Sequence, residues 1–232
     1  MSSASARTNE RIVRVPAGPI TLEGNLTLPS DARGLVLFAH GSGSSRHSPR
    51  NRSVAGALNE ARLATLLLDL LTTEEDRLDQ VTAALRFDIR LLANRLVYAT
   101  DWLDAFKDTT ALRLGYFGAS TGAAAALMAA AERPDRAAAV VSRGGRPDLA
   151  ASVLPGVRAP TLLIVGGADT QVISFNRSAL AALRCEKDLV IVPDATHLFE
   201  EPGALDDVAD LAARWFLRHL IPETGMSALR QA

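Results

Sequence analysis

Ser120, Asp169 and His197 have the side-chain types for one reaction, attack on an acyl carbon. A serine hydroxyl is a weak nucleophile until a neighbouring base takes its proton, and an imidazole is well suited to that task. A carboxylate behind the imidazole orients it and stabilises its cation. Ser120 stands in Gly118-Ala119-Ser120-Thr121-Gly122, between the apolar segment Ala111 to Phe117 and the helix-forming run Ala123 to Ala131. A serine on so tight a strand-to-helix junction is the sequence form of a nucleophile elbow. Glycines two positions before and after it leave out Cβ atoms that would collide where strand and helix converge. These five residues also fit a plain tight turn, so the remainder of the chain decides.

His197 follows Asp194-Ala195-Thr196 in a loop ahead of the final helix. The other three histidines suit it less: His40 ends an early strand beside Gly41, His47 lies in a polar loop, and His219 lies within the final helix. Asp169 closes the tight turn Gly166-Gly167-Ala168-Asp169, where capping a helix is the competing role. Asp194 is only three residues from His197 and suits a turn. Attack on a carbonyl leaves an oxyanion that needs aimed donors. Thr121 offers the N–H that follows the nucleophile. Ser42 in His40-Gly41-Ser42-Gly43 offers the second, with Gly43 as the alternative.

The elements that must position these residues alternate. Arg11 to Val15 and Ile20 to Leu28 read as two antiparallel edge strands, turned by Pro16, Gly18 and Pro19. Continuous apolar runs follow at 35–39, 63–68, 112–117, 137–141, 161–165 and 189–192. Runs of that kind suit parallel strands covered on both faces. Helical patterns at about 51–61, 86–106, 121–132, 174–184 and 204–220 separate most of them. The expectation is an α/β fold of three layers, a mostly parallel sheet with helices on both faces. Ligands of such sheets bind at the carboxyl ends of the strands, where Ser120, Asp169 and His197 all fall.

With those pieces placed, the chain resembles a small α/β-hydrolase of the dienelactone hydrolase-like group. The resemblance rests on Phe38 to Gly43, Gly118 to Gly122, Gly167-Ala168-Asp169 and Thr196 to Glu200, and spans about residues 11–221. The order Ser120, Asp169, His197 is the order of an α/β-hydrolase triad. The resemblance implies the α/β-hydrolase fold and acyl chemistry. The elbow departs from true dienelactone hydrolases, which carry cysteine where Ser120 stands, so a serine esterase is the expected activity. Lids in this fold usually follow the strand after the nucleophile helix. The short connection Ser142 to Pro160 is too small for a lid domain and predicts an open site.

Arg46, His47, Arg50 and Arg52 crowd the loop after Ser42, and Arg143 and Arg146 follow another strand end. Arg46 and Arg143 are the candidates for receiving a substrate carboxylate or phosphate. Arg52 suits an exposed helix face, and Arg146 suits pairing with Asp148. Asp69, Glu74 and Glu75 have no histidine with them and match no metal motif, so they read as charging the start of the next segment. No metal and no cofactor is expected, since neither a dinucleotide fingerprint nor a phosphate loop is present.

The 232 residues suit one domain over 10–222, between a leader at 1–9 and a tail at 223–232. A net charge of -1 and 5% aromatic residues argue against a nucleic-acid partner. No apolar run approaches the length of a membrane span, no signal peptide is visible, and the single Cys185 fits a reducing compartment. The expectation is a cytoplasmic monomer or homodimer that hydrolyses a small ester, lactone or related acyl substrate. Because a histidine base must be neutral, its activity should fall below about pH 6–7. Acyl transfer or peptidase action on the same residues, or a non-catalytic scaffold of the same fold, are the alternatives.

Overall fold

The computed structural model describes residues 9–221. The expected tail, 223–232, lies outside them, as does the expected leader apart from Asn9, which already opens β1. Eight strands form one sheet: β1 (Asn9–Ala17), β2 (Ile20–Leu28), β3 (Leu35–Ala39), β4 (Ala64–Leu68), β5 (Leu114–Ala119), β6 (Ala137–Arg143), β7 (Thr161–Gly166) and β8 (Lys187–Val192). Their order is β1-β2-β4-β3-β5-β6-β7-β8. β2 runs antiparallel to both β1 and β4, and all other pairs are parallel. Only β1 is therefore an edge strand at that end. β2 is interior, a correction to the pair of edge strands expected from alternation.

The helices are α1 (Pro49–Glu60), α2 (Thr73–Thr82), α3 (Ile89–Ala105), α4 (Thr121–Glu132), α5 (Thr170–Ala182) and α6 (Ala204–Leu220). Successive strand residues point to opposite faces, which divides the core in two. Leu35, Leu37 and Tyr116 join α3 and α4 in one layer; Val36, Phe38 and Phe117 join α1 and α6 in the other. Each fully buried Leu, Val or Phe contributes about 1.5–3 kcal/mol, so both layers hold the sheet firmly. α4 is buried along most of its length, which its alanines permit by letting the helix lie close to β3 and β5. Among the described residues no helix is long and apolar enough to cross a membrane.

α2 is the element missing from the sequence reading. Its start is a full capping box: Thr72 accepts from the Glu75 N–H, and the Glu75 carboxylate accepts from the Thr72 N–H. Only Asp79 of this helix is buried, so no apolar stripe betrays it.

Candidate active site

Ser120 sits between the last residue of β5 and the first of α4, with φ 51° and ψ −121°. That backbone is sparsely populated for a residue with a Cβ and costs about 1–3 kcal/mol. The flanking glycines explain how so sharp a turn closes. A Cβ on Gly118 would lie 2.4 Å from Ala123 Cα, and one on Gly122 would lie 2.3 Å from the Ala39 carbonyl oxygen. Backbone bonds brace the turn: Ser120 N–H donates to Arg143 O at 3.2 Å, and Ser120 O accepts from Arg146 N–H at 3.0 Å.

Asp169 follows β7 and occupies the N-cap position of α5, yet its side chain makes no capping bond. The carboxylate instead accepts from His197 Nδ1 at 2.6 Å. That bond places the imidazole proton on Nδ1 and leaves Nε2 as the basic nitrogen. The loop carrying His197 turns through two non-glycine residues of positive φ, Asp194 at 58° and Phe199 at 55°, and Phe199 is buried beneath it. A Cβ built on Gly144 would lie 3.5 Å from His197 Nδ1 and Cε1, so the ring rests against Gly144 at the end of β6. Since Ala119 pairs with Arg143, Gly144 stands beside Ser120 in the next rank. The His197 ring thus lies over the end of β6, the strand next to the one that Ser120 follows. Among the described residues no hydrogen bond joins the Ser120 hydroxyl to His197.

Thr121 opens α4, so its N–H has no acceptor within its own helix and faces outward at the positive end of the helix dipole. Ser42, in the loop after β3, lies against it: the two hydroxyl oxygens are 3.0 Å apart. Gly43 has φ +65°, the left-handed backbone that glycine takes without cost. His40 fixes this loop from below. Leu70 N–H donates to its Nε2, so Nδ1 carries the proton and donates to Gly41 O, both at 3.0 Å. Burial pushes the His40 imidazole below the usual histidine range, against the raising effects of that Gly41 bond and of Asp69 and Asp76. A shallow cleft opens beside the loop, lined by Ser42, Gly43 and Thr121 and walled by Leu71 and Arg86; Ser120, Asp169 and His197 are not among its lining residues.

The two arginines expected to meet a substrate anion are otherwise engaged. Arg46 pairs with Asp69, with Glu23 at 2.8 Å, and donates from Nε to Asn25 Oδ1 at 3.0 Å, so its charge is already balanced. Arg143 is only 6% exposed and turns under α1, donating to Asn51 Oδ1 at 3.1 Å with its guanidinium near the Phe199 ring. Burial, and then the nearby charge of Arg50, push its guanidinium down to about 10. Strand-end position puts these residues at the rim, and there Arg46 is held by Asp69, Glu23 and Asn25 while Arg143 is held by Asn51. Arg146 does pair with Asp148, at 2.8 Å. The arginine that does wall the cleft is Arg86, tied to the buried Asp79 by its Nε at 2.6 Å. No sequence signal marked that pair, because α2 itself went unread.

A sheet of this order, with a strained serine after β5 and an Asp–His pair after β7 and β8, defines the α/β-hydrolase fold. Residues 68–220 match the model of the dienelactone hydrolase family, and this chain belongs to that family, a family of hydrolases. It is similar to a dienelactone hydrolase from Anabaena variabilis of known crystal structure, with 63% identity and a TM-score of 0.91 over 92% of this chain and 99% of that one. Est1E from Butyrivibrio proteoclasticus shares the fold at 15% identity, with a TM-score of 0.76 over 90% of this chain and 98% of its own. Two Mycobacterium tuberculosis proteins, provisionally named phosphoribosyl transferases, are 55% identical over 94% of this chain. The chain spans about half of their length, 48%, so their name describes much longer proteins.

Proposed function

We infer that this protein is a serine hydrolase acting on a small ester, lactone or related acyl substrate. The observation that carries the reading is the backbone of Ser120, held at φ 51° and ψ −121° on the strand end next to the one the His197 ring rests against. Strain of that kind persists only where the surroundings over-determine it, and it lifts the hydroxyl clear of the sheet. Ser120 Oγ attacks the acyl carbon while His197 Nε2 takes its proton. Asp169, 2.6 Å from His197 Nδ1, holds the ring and stabilises the imidazolium. The N–H groups of Thr121 and Ser42 receive the oxyanion. Collapse expels the alcohol, which takes the proton from His197 and leaves the acyl group on Ser120. Water then attacks the acyl-enzyme as His197 takes its proton; the bond to Ser120 Oγ breaks, His197 returns the proton to that oxygen, and the acid product leaves.

The single Cys185 fits action in a reducing compartment such as the cytoplasm, on a small molecule rather than a nucleic acid or a membrane. The test is covalent labelling. A fluorophosphonate should add to the wild type at Ser120, located by peptide mass, and should leave Ser120→Ala unlabelled. A wild type that neither labels nor hydrolyses short esters, lactones or thioesters would mean a non-catalytic scaffold. Transfer of the acyl group to added amines or alcohols faster than to water would favour the acyltransferase alternative.

A further inference from the structure

We propose that the Ser42 hydroxyl is a third oxyanion donor, aimed by the Thr121 hydroxyl; the inference rests on the serine-hydrolase reading and deepens it. The number of protons decides which hydroxyl donates. Ser42 Oγ and Thr121 Oγ1 lie 3.0 Å apart, and one hydroxyl must donate to the other. Thr121 is 2% exposed, and among the described residues its hydroxyl has no other hydrogen-bond partner. If Ser42 donated, the proton of the far less exposed Thr121 would be left without a protein partner. Thr121 therefore donates and Ser42 accepts. The Ser42 proton is left over, on an exposed residue that lines the cleft together with Thr121 and Gly43.

The same contact sets the direction of that proton. With one lone pair of Ser42 Oγ taken by Thr121, the torsions about both Cα–Cβ and Cβ–Oγ are restrained, and on this proposal the freed O–H points toward the developing oxyanion. A donor fixed in advance of the reaction needs no reorganisation when charge develops on the oxygen, which is why such donors act mainly on the chemical step. Thr121 is thus a positioning residue as well as a backbone donor. Ser42 touches the reacting oxygen.

The experiment combines Ser42→Ala, Thr121→Val and the double variant, each corrected for active sites by fluorophosphonate titration. Ser42→Ala keeps its backbone N–H, and should lower kcat by about 10²-fold with KM unchanged, as loss of one oxyanion donor does. Thr121→Val keeps its shape and N–H and should lose a smaller factor. Thr121→Ser, which returns the hydroxyl, should recover most of that loss. The double variant should be no slower than Ser42→Ala, because the Thr121 hydroxyl acts only through Ser42. A boronic acid that forms a tetrahedral adduct on Ser120 should weaken in parallel with kcat.

Labelling intact in every variant, with kcat unchanged or with losses that multiply, would overturn the third donor and leave the serine-hydrolase reading standing. Failure of the wild type itself to label overturns both. A folding defect is distinguished by the titration, which counts only competent sites.

Discussion

Gly122→Ala tests how the elbow is built. The new Cβ would lie 2.3 Å from Ala39 O and 2.5 Å from His40 O, where ordinary contact begins at 3.4 Å. The two backbones must part by about 1 Å, and neither obstacle is a side chain that can rotate away. Overpacking of that kind costs about 1–3 kcal/mol or more. At 2–4 °C per kcal/mol for a chain of this size, Tm should fall by roughly 2–12 °C. The parting also moves α4, and with it the Thr121 N–H, relative to the Ser42 loop. A displacement near 1 Å at a reacting centre costs about 10² in rate. Gly56→Ala is the control: it lies on the exposed side of α1 with nothing within 4 Å of its Cβ. It should gain about 0.5–1 kcal/mol from the helix-former substitution. Thermal melts followed by circular dichroism, and initial rates on a short ester, read both quantities. A Gly122→Ala protein that melts within a degree of wild type and turns over normally would refute the close-approach argument.

Further outcomes follow from single contacts. Asp169→Asn keeps the shape beside His197 but favours the wrong imidazole tautomer, so kcat should drop by about 10³–10⁴ with folding intact. Burial lowers His40 below its unfolded value, so the unfolded chain binds a proton near pH 6.5 that the native protein refuses. Stability should therefore be lost as pH falls below about 6.5, by up to ~1.4 kcal/mol per unit. His40→Gln, which keeps an acceptor for Leu70 N–H, should flatten that slope in urea titrations at pH 5–8. The half-buried His219, lowered chiefly by burial as well, should leave a residual slope; an unaltered slope would clear His40 of the effect. Arg143→Ala should slow anionic and neutral esters by equal factors, since that guanidinium serves Asn51 and not the cleft. A selective rise in KM for the anionic ester would restore it as a substrate contact.

What was legible in the sequence is what repeats or what sterics demand. Five of the parallel strands announce themselves because burial on both faces leaves continuous apolar runs; the edge strand β8, largely exposed, shows only Leu189 to Val192, and all six appear within a few residues of the expected runs. The elbow is legible because two glycines stand where no Cβ fits. α2 was missed because it buries only Asp79 and leaves Leu78 and Val81 in solvent, so its periodicity carries no core signal. Its beginning was visible, since Glu74 and Glu75 were read as charging the start of the next segment. α5 begins at Thr170, four residues earlier than expected, and its first turn buries only Val172, a single apolar residue that sets no period. The direction of Arg46 and Arg143 was beyond reach. A long side chain at a strand end chooses its partner in three dimensions, and Glu23 and Asn51 are 23 and 92 residues away along the chain.

The strain at Ser120 is offset elsewhere, which yields a last expectation. α4 buries nearly every residue from Thr121 to Ala130, and that burial holds the junction in place whatever residue occupies position 120. Removing the hydroxyl alone should therefore leave the strain intact, whereas removing the Cβ should release it, because glycine accepts φ 51°. Ser120→Ala and Ser120→Gly are both inactive on this reading, yet they should differ in stability. The released strain is about 1–3 kcal/mol. Against it stands the extra chain entropy of glycine, about 0.5–1 kcal/mol. Ser120→Gly should be the more stable of the two by roughly 1 kcal/mol, in a urea midpoint comparison at one pH. The opposite order would mean that this backbone is relaxed, and the hydroxyl would then lose the structural reason for being called poised.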